Sequence, residues 1–289
     1  MEKFTKKGIS KTWGNKVSIK ARVKRGKGTS APIKEELEIY KKFLRQTIVG
    51  DKNPRVLVLG VTPELVDLAV SLGCETVVVD ISKKLIEKMR AVMKYRDSPK
   101  LHIVHGDWLK MDKILNTNSF NAIIGDASLN NIPAKKYPAV LKNISKLLKK
   151  NGSLIVRHLI YSLPKKFKTK EQAIKEFKQG RNTILGVFME VGFQTKIAKK
   201  AYNAKKNQFS WEHICDPTWD VLKANLGKKD LKYVENLGRH ARYVIHNLFP
   251  KKVFNKMLQK HFVVKKIAVL KKYMYSRYCP IYFAKKKSK

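Results

Sequence analysis

Residues 56–64 read Val-Leu-Val-Leu-Gly-Val-Thr-Pro-Glu, and this stretch decides the fold. Four successive apolar residues predict a strand that is buried on both faces of a sheet. Gly60 then provides a tight turn. Thr62-Pro63-Glu64 is a typical helix start, because Thr can cap, Pro fits the first helical position and an acid suits the positive end of the helix dipole. A strand that turns directly into a helix predicts a βα unit.

The same alternation continues for about a hundred residues. Further strands are predicted at 76–79, 101–104, 121–124 and 153–156, with amphipathic helices between them. This pattern predicts an α/β fold with a Rossmann-like, mostly parallel sheet and helices on both faces. After Ile160 the alternation stops. Helical patterns follow at 165–192 and 208–260, and strand patterns return at 262–270 and 279–284.

The predicted organisation has three parts. Residues 1–33 form a flexible basic arm, because they hold ten Lys and Arg residues and no sustained apolar period. Residues 34–160 and 250–289 form the Rossmann-like domain, which the C-terminal strands complete as an antiparallel hairpin at the sheet edge. Residues 161–249 form a helical cap insertion over that sheet.

The composition limits the class of protein. The 289 residues are 43% hydrophobic, which is enough to build a core. The chain has neither a long apolar run nor a signal-peptide pattern, so we expect a cytoplasmic protein without membrane contact. Its three cysteines are far apart in sequence, and neither a disulfide framework nor a metal site is predicted.

The charge predicts a polyanionic partner. Lys and Arg number 63 against 22 Asp and Glu, which gives a net charge of +41. Of the basic residues 52 are Lys and 11 are Arg, whereas bidentate recognition of phosphates and bases favours Arg. We therefore expect nucleic-acid binding at low salt that is mostly non-specific.

Open parallel sheets bind ligands at the carboxyl ends of their strands. Asp80 ends the second predicted strand, twenty residues after Gly60, and can accept hydrogen bonds from both ribose hydroxyls. A dinucleotide is disfavoured, because Pro63 lacks an N–H and Glu64 would repel a phosphate. A nicotinamide-dependent oxidoreductase is disfavoured with it. A nucleoside with a cationic tail suits this turn, since Glu64 and Asp126 can face the positive charge.

At these residues the chain resembles a class I S-adenosylmethionine-dependent methyltransferase. Residues 56–65 resemble the first glycine motif in a degenerate form, 78–81 the ribose-binding strand end, 105–108 the adenine-contacting segment, and 120–133 the fourth motif. The resemblance covers about residues 34–160 and the C-terminal strands. It implies S-adenosylmethionine as cofactor, bound by Gly60, Val61, Thr62, Glu64, Asp80, Ile81, Gly106, Asp107, Trp108, Gly125 and Asp126.

The chain departs from the family pattern in three respects. Val58 stands where most members carry an acid, and two motif glycines are absent. The fourth motif lacks the Asn/Asp-Pro-Pro-aromatic sequence of exocyclic-amine methylases, which argues against base N-methylation of that kind. No catalytic residue is assigned, because methyl transfer from a sulfonium depends mainly on alignment.

The predicted function is methyl transfer to an unidentified acceptor under the cap, with a small molecule favoured over RNA. An RNA methyltransferase and a non-enzymatic RNA-binding protein on the same fold remain alternatives. The acids at three strand ends argue against the non-enzymatic alternative. At single residues, Asp80 and Asp107 could instead be helix caps, and Trp108 and His158 could be core residues.

Overall fold

The computed structural model describes residues 31–162, 166, 168–181, 184–196, 198–223, 225–228, 231, 235 and 245–288. The predicted basic arm lies outside the described residues up to residue 30. The strands are β1 Arg55–Leu59, β2 Glu75–Asp80, β3 Leu101–His105, β4 Phe120–Asp126, β5 Leu148–Arg157, β6 Ile160–Tyr161, β7 Tyr202–Asn203, β8 Gln208–Ser210, β9 Ile245–Asn247, β10 Phe249–Pro250, β11 Phe262–Ala268 and β12 Ile281–Lys286. The helices are α1 Lys34–Ile48, α2 Pro63–Ser71, α3 Lys83–Arg90, α4 Met111–Ile114, α5 Tyr137–Leu147, α6 Lys170–Lys178, α7 Ile184–Gln194, α8 Ala198–Ala201, α9 Glu212–Lys223 and α10 Lys251–Leu258.

A seven-stranded sheet organises the chain, in the order β11-β12-β5-β4-β1-β2-β3. The strands β1 to β5 are parallel to one another. The strand β12 runs antiparallel to both β5 and β11. The predicted mostly parallel sheet with antiparallel C-terminal strands is therefore confirmed.

Helices cover both faces of this sheet because successive side chains of its strands point to opposite sides. In β1, Leu57 and Leu59 belong to a buried cluster that includes Phe254 of α10. Val56 and Val58 belong to a second cluster with Tyr40 of α1 and several side chains of α2. The nearly continuous apolar sequence of β1 thus reflects burial on both faces.

The connection between α5 and β5 differs from the prediction. In sequence Asn151-Gly152 is a typical helix stop, which predicts a helix that continues to Lys150, but α5 ends at Leu147 and β5 begins at the next residue. The register with β4 shifts, so that residues 149–152 form an irregularity in the strand. A Cβ on Gly152 would lie 3.0 Å from the side chain of Leu148, so glycine permits this close approach.

The predicted cap segment, residues 161–249, contains more than helices. The helix expected at 165–192 is two helices, α6 and α7, and Gly180 just after α6 has a φ of +71°. A left-handed residue is a common end for a helix, and glycine adopts it readily. The dipeptide Asp216-Pro217 is typical of a turn in sequence, but this prediction is wrong, because both residues lie within α9.

The segment also contains a small antiparallel sheet, β7-β8-β9, which was not predicted. Its strands have two or three residues and are too short to show an alternating pattern. The assignment of 161–249 as a separate cap stays a prediction. Within the residues that the structure describes, every helix is too short or too polar to span a bilayer.

Candidate functional site

The ends of the central strands bring most of the predicted site residues to one edge of the sheet. Leu59, the last residue of β1, pairs with Val79 of β2 on one side and Gly125 of β4 on the other. Asp80 pairs in turn with His105 of β3. Gly60, Asp80, Gly106 and Asp126 are therefore neighbours along the carboxyl edge, as parallel register requires.

Asp80 holds the turn after β1. Its Oδ2 accepts a hydrogen bond from the N–H of Val61 at 3.2 Å, and its Oδ1 accepts one from the N–H of Ser82 at 2.8 Å. The side chain is buried, and this burial raises the pKa of Asp80, although both hydrogen bonds oppose the change. Gly60 has a φ of +86°, a conformation that favours glycine.

The indole of Trp108 lies against this turn. Its Nε1 donates a hydrogen bond to the carbonyl of Val79 at 2.7 Å. A Cβ on Gly60 would lie 3.3 Å from the indole and 3.6 Å from Asp80. The missing side chain of Gly60 therefore leaves room for an aromatic ring and a carboxylate at the tip of β1.

Asp107 caps the short 3-10 turn at Trp108–Lys110 by accepting a hydrogen bond from the N–H of Leu109 at 3.0 Å. The structure thus shows the helix-capping role that the sequence offered as an alternative for Asp107. A Cβ on Gly106 would lie 2.6 Å from the terminal methyl of Ile114, so a larger residue there would require this exposed side chain to move. The roles of both residues toward the cofactor stay predictions.

The remaining residues predicted around the turn lie on the same edge. Thr62 is the N-cap residue of α2, although its side chain makes no capping hydrogen bond. Glu64 is half-buried in the first turn of that helix, and Ile81 is half-buried directly after β2. The Nε2 of His105 lies 3.0 Å from the carbonyl of Ile81, which ties the end of β3 to the exit of β2.

These side chains fit the adenosine part of S-adenosylmethionine. A carboxylate has about four acceptor positions, and the N–H groups of Val61 and Ser82 use two of those on Asp80. Ribose hydroxyls can use the others. Ile81 and the indole of Trp108 provide the apolar and aromatic surface that a nucleobase requires. Gly60 lies next to both Asp80 and the indole, and its missing side chain allows the two groups to approach the turn.

Asp126 belongs to a buried charged network at the end of β4. The Nε of Arg157 donates to Asp126 Oδ1 at 2.5 Å, and Nη2 donates to Oδ2 at 3.0 Å. The Nη1 of the same guanidinium donates to Oε2 of Glu36 at 2.6 Å. The exposed fraction is 1% for each carboxylate side chain and 5% for that of Arg157. Burial alone would lower the pKa of Arg157, but the attraction of Asp126 and Glu36 leaves it well above its ordinary value.

Tyr40 adds a second link between α1 and the same edge. Its hydroxyl donates to the carbonyl of Gly125 at 2.7 Å and accepts from the N–H of Arg157 at 2.8 Å. Arg157 and Glu36 were not predicted as site residues. Glu36 could have been found, because it falls three residues after Ile33 and four before Tyr40, on the apolar face of α1.

His158 follows Arg157 and is completely buried. Its ring stacks on Phe254 with centroids 3.8 Å apart, and neither ring nitrogen has a hydrogen-bond partner among the described residues. Burial lowers the pKa of His158 to about 3. The ring is therefore neutral near pH 7, which supports its interpretation as a core residue.

The loop after β4 connects this edge to the predicted cap. Asn130 is buried, and its side-chain amide donates to the carbonyls of Leu159 at 2.9 Å and Asn247 at 2.8 Å. Its Oδ1 accepts from the N–H of Leu159 at 2.9 Å. In the same loop Ser128 donates to the carbonyl of Leu59 at 2.5 Å, and a Cβ on Gly125 would lie 2.9 Å from Ser128 Oγ. The loop is fixed both to β1 and to β9.

Residues 63–236 match the model of a family described as a methyltransferase domain, which is more than half of the chain. The chain belongs to this methyltransferase family. The predicted enzyme class, an S-adenosylmethionine-dependent methyltransferase with a Rossmann-like fold, is thereby confirmed. S-adenosylmethionine is its cofactor. The matched residues include Asp80, Asp107 and Asp126, whose contacts with the cofactor stay predictions.

Solved structures share the fold of this methyltransferase at low sequence identity. A Rhodobacter sphaeroides protein described as a Zn-dependent alcohol dehydrogenase is 15% identical, with a TM-score of 0.55 over 90% of this chain and 92% of that one. The PH0226 protein of Pyrococcus horikoshii is 16% identical, with a TM-score of 0.53 over 88% and 90% of the two chains. The CurJ carbon methyltransferase is 12% identical, with a TM-score of 0.51 over 87% of this chain and 54% of that one. No curated protein matches by sequence.

Among the described residues, no group of three or more His, Cys, Asp and Glu side chains could hold a metal ion.

Proposed function

We propose that this methyltransferase acts on a small-molecule acceptor held between the Asp126 edge of the sheet and the segment 161–249. The observation that carries this proposal is the position of Asn130. Its side chain bonds both β9 of that segment and the β5–β6 turn. The predicted cap is thereby attached four residues from Asp126, beside the strand end where an acceptor would meet the methyl group.

On this proposal, Asp80 accepts hydrogen bonds from the ribose hydroxyls, and Ile81 and Trp108 contact the adenine. Gly60, Val61 and Thr62 form the turn beside the ribose, with Glu64 in the helix that follows. When bound, S-adenosylmethionine supplies an electrophilic methyl group on a good leaving group. The protein's main task is then to align the acceptor with that methyl and to exclude water.

Two described residues near this edge, Asp126 and His158, are poor candidates for a general base that removes a proton from the acceptor. Both oxygens of Asp126 accept hydrogen bonds from Arg157. The low pKa of His158 makes it a weak base near neutral pH. This arrangement supports an acceptor whose nucleophilic atom needs no strong base, with the rate supplied by alignment.

A radiochemical assay tests the proposed acceptor class. The enzyme is incubated with S-adenosylmethionine carrying a tritiated methyl group, together with either a deproteinised low-molecular-weight cell extract or purified total RNA. We expect label in the small-molecule fraction. Label that is transferred only to RNA would instead support the alternative of an RNA methyltransferase, which the net charge of +41 favours.

A matched pair of variants tests the contribution of the cap. Asn130→Ala removes the bonds to β9 and to the β5–β6 turn, so methyl transfer should fall while cofactor affinity stays within a few-fold of the wild-type value. The control is Asn131→Ala, because within the described part of the chain the side chain of Asn131 bonds only the local carbonyls of Ala127 and Ser128, at 3.3 and 3.4 Å. Equal transfer rates in the two variants, with both folded, would argue against an acceptor site beside the cap.

We also propose that the protein binds nucleic acid non-specifically at low salt. Support comes from the excess of Lys over Arg, 52 against 11, since Lys interacts with phosphate mainly as a point charge. Binding of this kind is independent of the methyl acceptor.

A further inference from the structure

Two buried carboxylates share one guanidinium at the carboxyl edge of the sheet, where β4 ends. Asp126 binds Arg157 through both of its oxygens, whereas Glu36 binds it through Oε2 alone. The formal charges of the three side chains sum to −1. Their low exposure means that water and salt screen this charge poorly.

The remaining oxygen of Glu36 extends this negative charge. Oε1 is buried and has no hydrogen-bond partner among the described residues. The charge of Glu36 also acts on other groups nearby. Tyr275 has a raised pKa, which results from burial first and from the charge of Glu36 second. The field of Glu36 therefore reaches beyond its partner Arg157.

The strand order places this charge beside the cofactor turn. Asp126 follows Gly125, and Gly125 pairs with Leu59, the residue before Gly60. One strand spacing, about 4.8 Å, thus separates the backbone of β4 at Asp126 from β1, and Arg157, which pairs with Asp126 on β5, lies one strand further from the glycine turn. The methyl donor carries a positive sulfonium, and the product after transfer carries a neutral thioether.

We propose that Glu36, linked to Asp126 through Arg157, makes this edge select the sulfonium of S-adenosylmethionine over the neutral product S-adenosylhomocysteine. This inference rests on the proposed cofactor site. The buried negative charge attracts the positive sulfonium of the donor. It does not attract the product in this way, because the thioether sulfur is neutral. The same field therefore retains the donor and favours release of the product.

The hydrogen bonds of Glu36 need an acceptor oxygen but not a charge. Oε2 of Glu36 accepts a hydrogen bond from the N–H of Ile33, the N-cap residue of α1, at 3.0 Å. A glutamine oxygen can accept the same bond and that of Arg157. Glu36→Gln thus removes the charge while its size and acceptor remain. Glu35→Gln is the matched control, because Glu35 is adjacent on α1 and pairs with the exposed Lys272.

Calorimetric titration of the full chain with S-adenosylmethionine and with S-adenosylhomocysteine gives the deciding ratio of dissociation constants. For Glu36→Gln we expect the affinity for S-adenosylmethionine to fall by roughly tenfold relative to that for S-adenosylhomocysteine. This is about the effect of one unit charge at a distance of one or two strand spacings. The affinity for S-adenosylhomocysteine should stay close to the wild-type value, and Glu35→Gln should leave both affinities unchanged. Glu36→Asp keeps the charge and should keep most of the ratio.

An unchanged ratio in a Glu36→Gln variant that still binds S-adenosylhomocysteine would overturn the inference. If that variant does not fold, the wild-type protein still provides a test with sinefungin, an analogue with a cationic amine at the position of the sulfonium. Sinefungin should bind more tightly than S-adenosylhomocysteine, and equal affinities would overturn the inference. Failure of the wild-type protein to bind any of these ligands would instead contradict the proposed cofactor site.

Discussion

Single acidic residues at the strand ends serve the fold and the proposed site together. Asp80 accepts backbone hydrogen bonds on both oxygens, and Asp126 is held by Arg157. Truncation of either residue would leave buried donors without acceptors, which destabilises a protein in its own right. Isosteric amides therefore separate binding from folding better than alanine does.

Asp80→Asn should weaken the binding of S-adenosylmethionine by about 1.5–3 kcal/mol, the range for hydrogen bonds to a charged group. The amide keeps an acceptor for one of the two backbone N–H groups, so we expect the variant to fold with reduced stability. Isothermal titration measures the affinity, and the exposed Asp97→Asn serves as control. If Asp80→Asn binds the cofactor as tightly as the wild type, Asp80 serves only to hold the turn.

His158 should make the protein less stable in acid. Its pKa is about 3 when folded against 6.5 as the ordinary value. Between these values the unfolded chain binds more protons than the folded protein, so the free energy of unfolding falls as the pH drops. In His158→Leu this loss should be smaller by up to about 1.4 kcal/mol per pH unit within that window.

Urea denaturation between pH 7 and pH 4 measures this effect. Methyl transfer at pH 7 provides the second readout, and a core role predicts that His158→Leu retains it. A variant with wild-type acid dependence and no transfer would show instead that His158 contacts the acceptor.

Among the elements, α7 is attached by apolar packing, with Val187, Val191 and Phe193 in a buried cluster, and also by a buried acid. Glu190 is completely buried, and both its oxygens lie 2.8 Å from Nη2 of Arg277. Lys168 donates to the same carboxylate at 3.2 Å. Arg277 belongs to the 3-10 turn Met274–Tyr278 before β12, so Glu190 joins the predicted cap to the central sheet.

Glu190→Gln should destabilise the contact of α7 by about 1–3 kcal/mol, because two cations lose a charged partner while the hydrogen bonds can partly remain. The loss should be local. Hydrogen exchange should become faster in α6 and α7, while the amides of β1 and β4 keep their protection. The exposed Glu171→Gln is the control. A uniform increase over the whole chain would show that the segment and the sheet unfold as one unit.

The elements also show which parts of the fold the sequence could predict. The five parallel strands were predictable because residues such as Val56 and Leu57 form short apolar runs buried on two faces. The strands β7 to β9 were not, because two or three residues cannot establish a period. Asp216-Pro217 resembled a turn in sequence, yet it lies inside α9.

The candidate site was predictable only where a residue follows a recognisable strand. Gly60, Asp80 and Asp126 meet that condition. Glu36 does not, since it lies in α1 and reaches Arg157 across 121 positions of sequence. Asn130 was interpretable as a turn residue, and only the fold shows its bond to Asn247. Contacts between residues so far apart follow from topology rather than from local pattern.

At the scale of the whole molecule, the net charge of +41 is spread over nearly every segment. Such a charge attracts any polyanion by long-range forces. The density of positive charge is high in residues 1–27, which hold ten Lys and Arg residues and one acid. We therefore expect this arm to contribute a large share of nucleic-acid binding.

Removal of residues 1–27 should flatten the dependence of log affinity on log salt. Each phosphate neutralised by the arm contributes a slope of about 0.9 on duplex and about 0.7 on single strands, because counterions are released on binding. Fluorescence anisotropy with a random and a structured RNA, over a range of salt concentrations, measures the slope. A variant with its ten arm Lys and Arg residues replaced by Ser keeps the length and should behave like the truncation. Since the contacts are electrostatic, both RNAs should lose affinity equally. A preference for one RNA that persists near physiological salt would contradict this expectation, and would make RNA the leading candidate for the methyl acceptor.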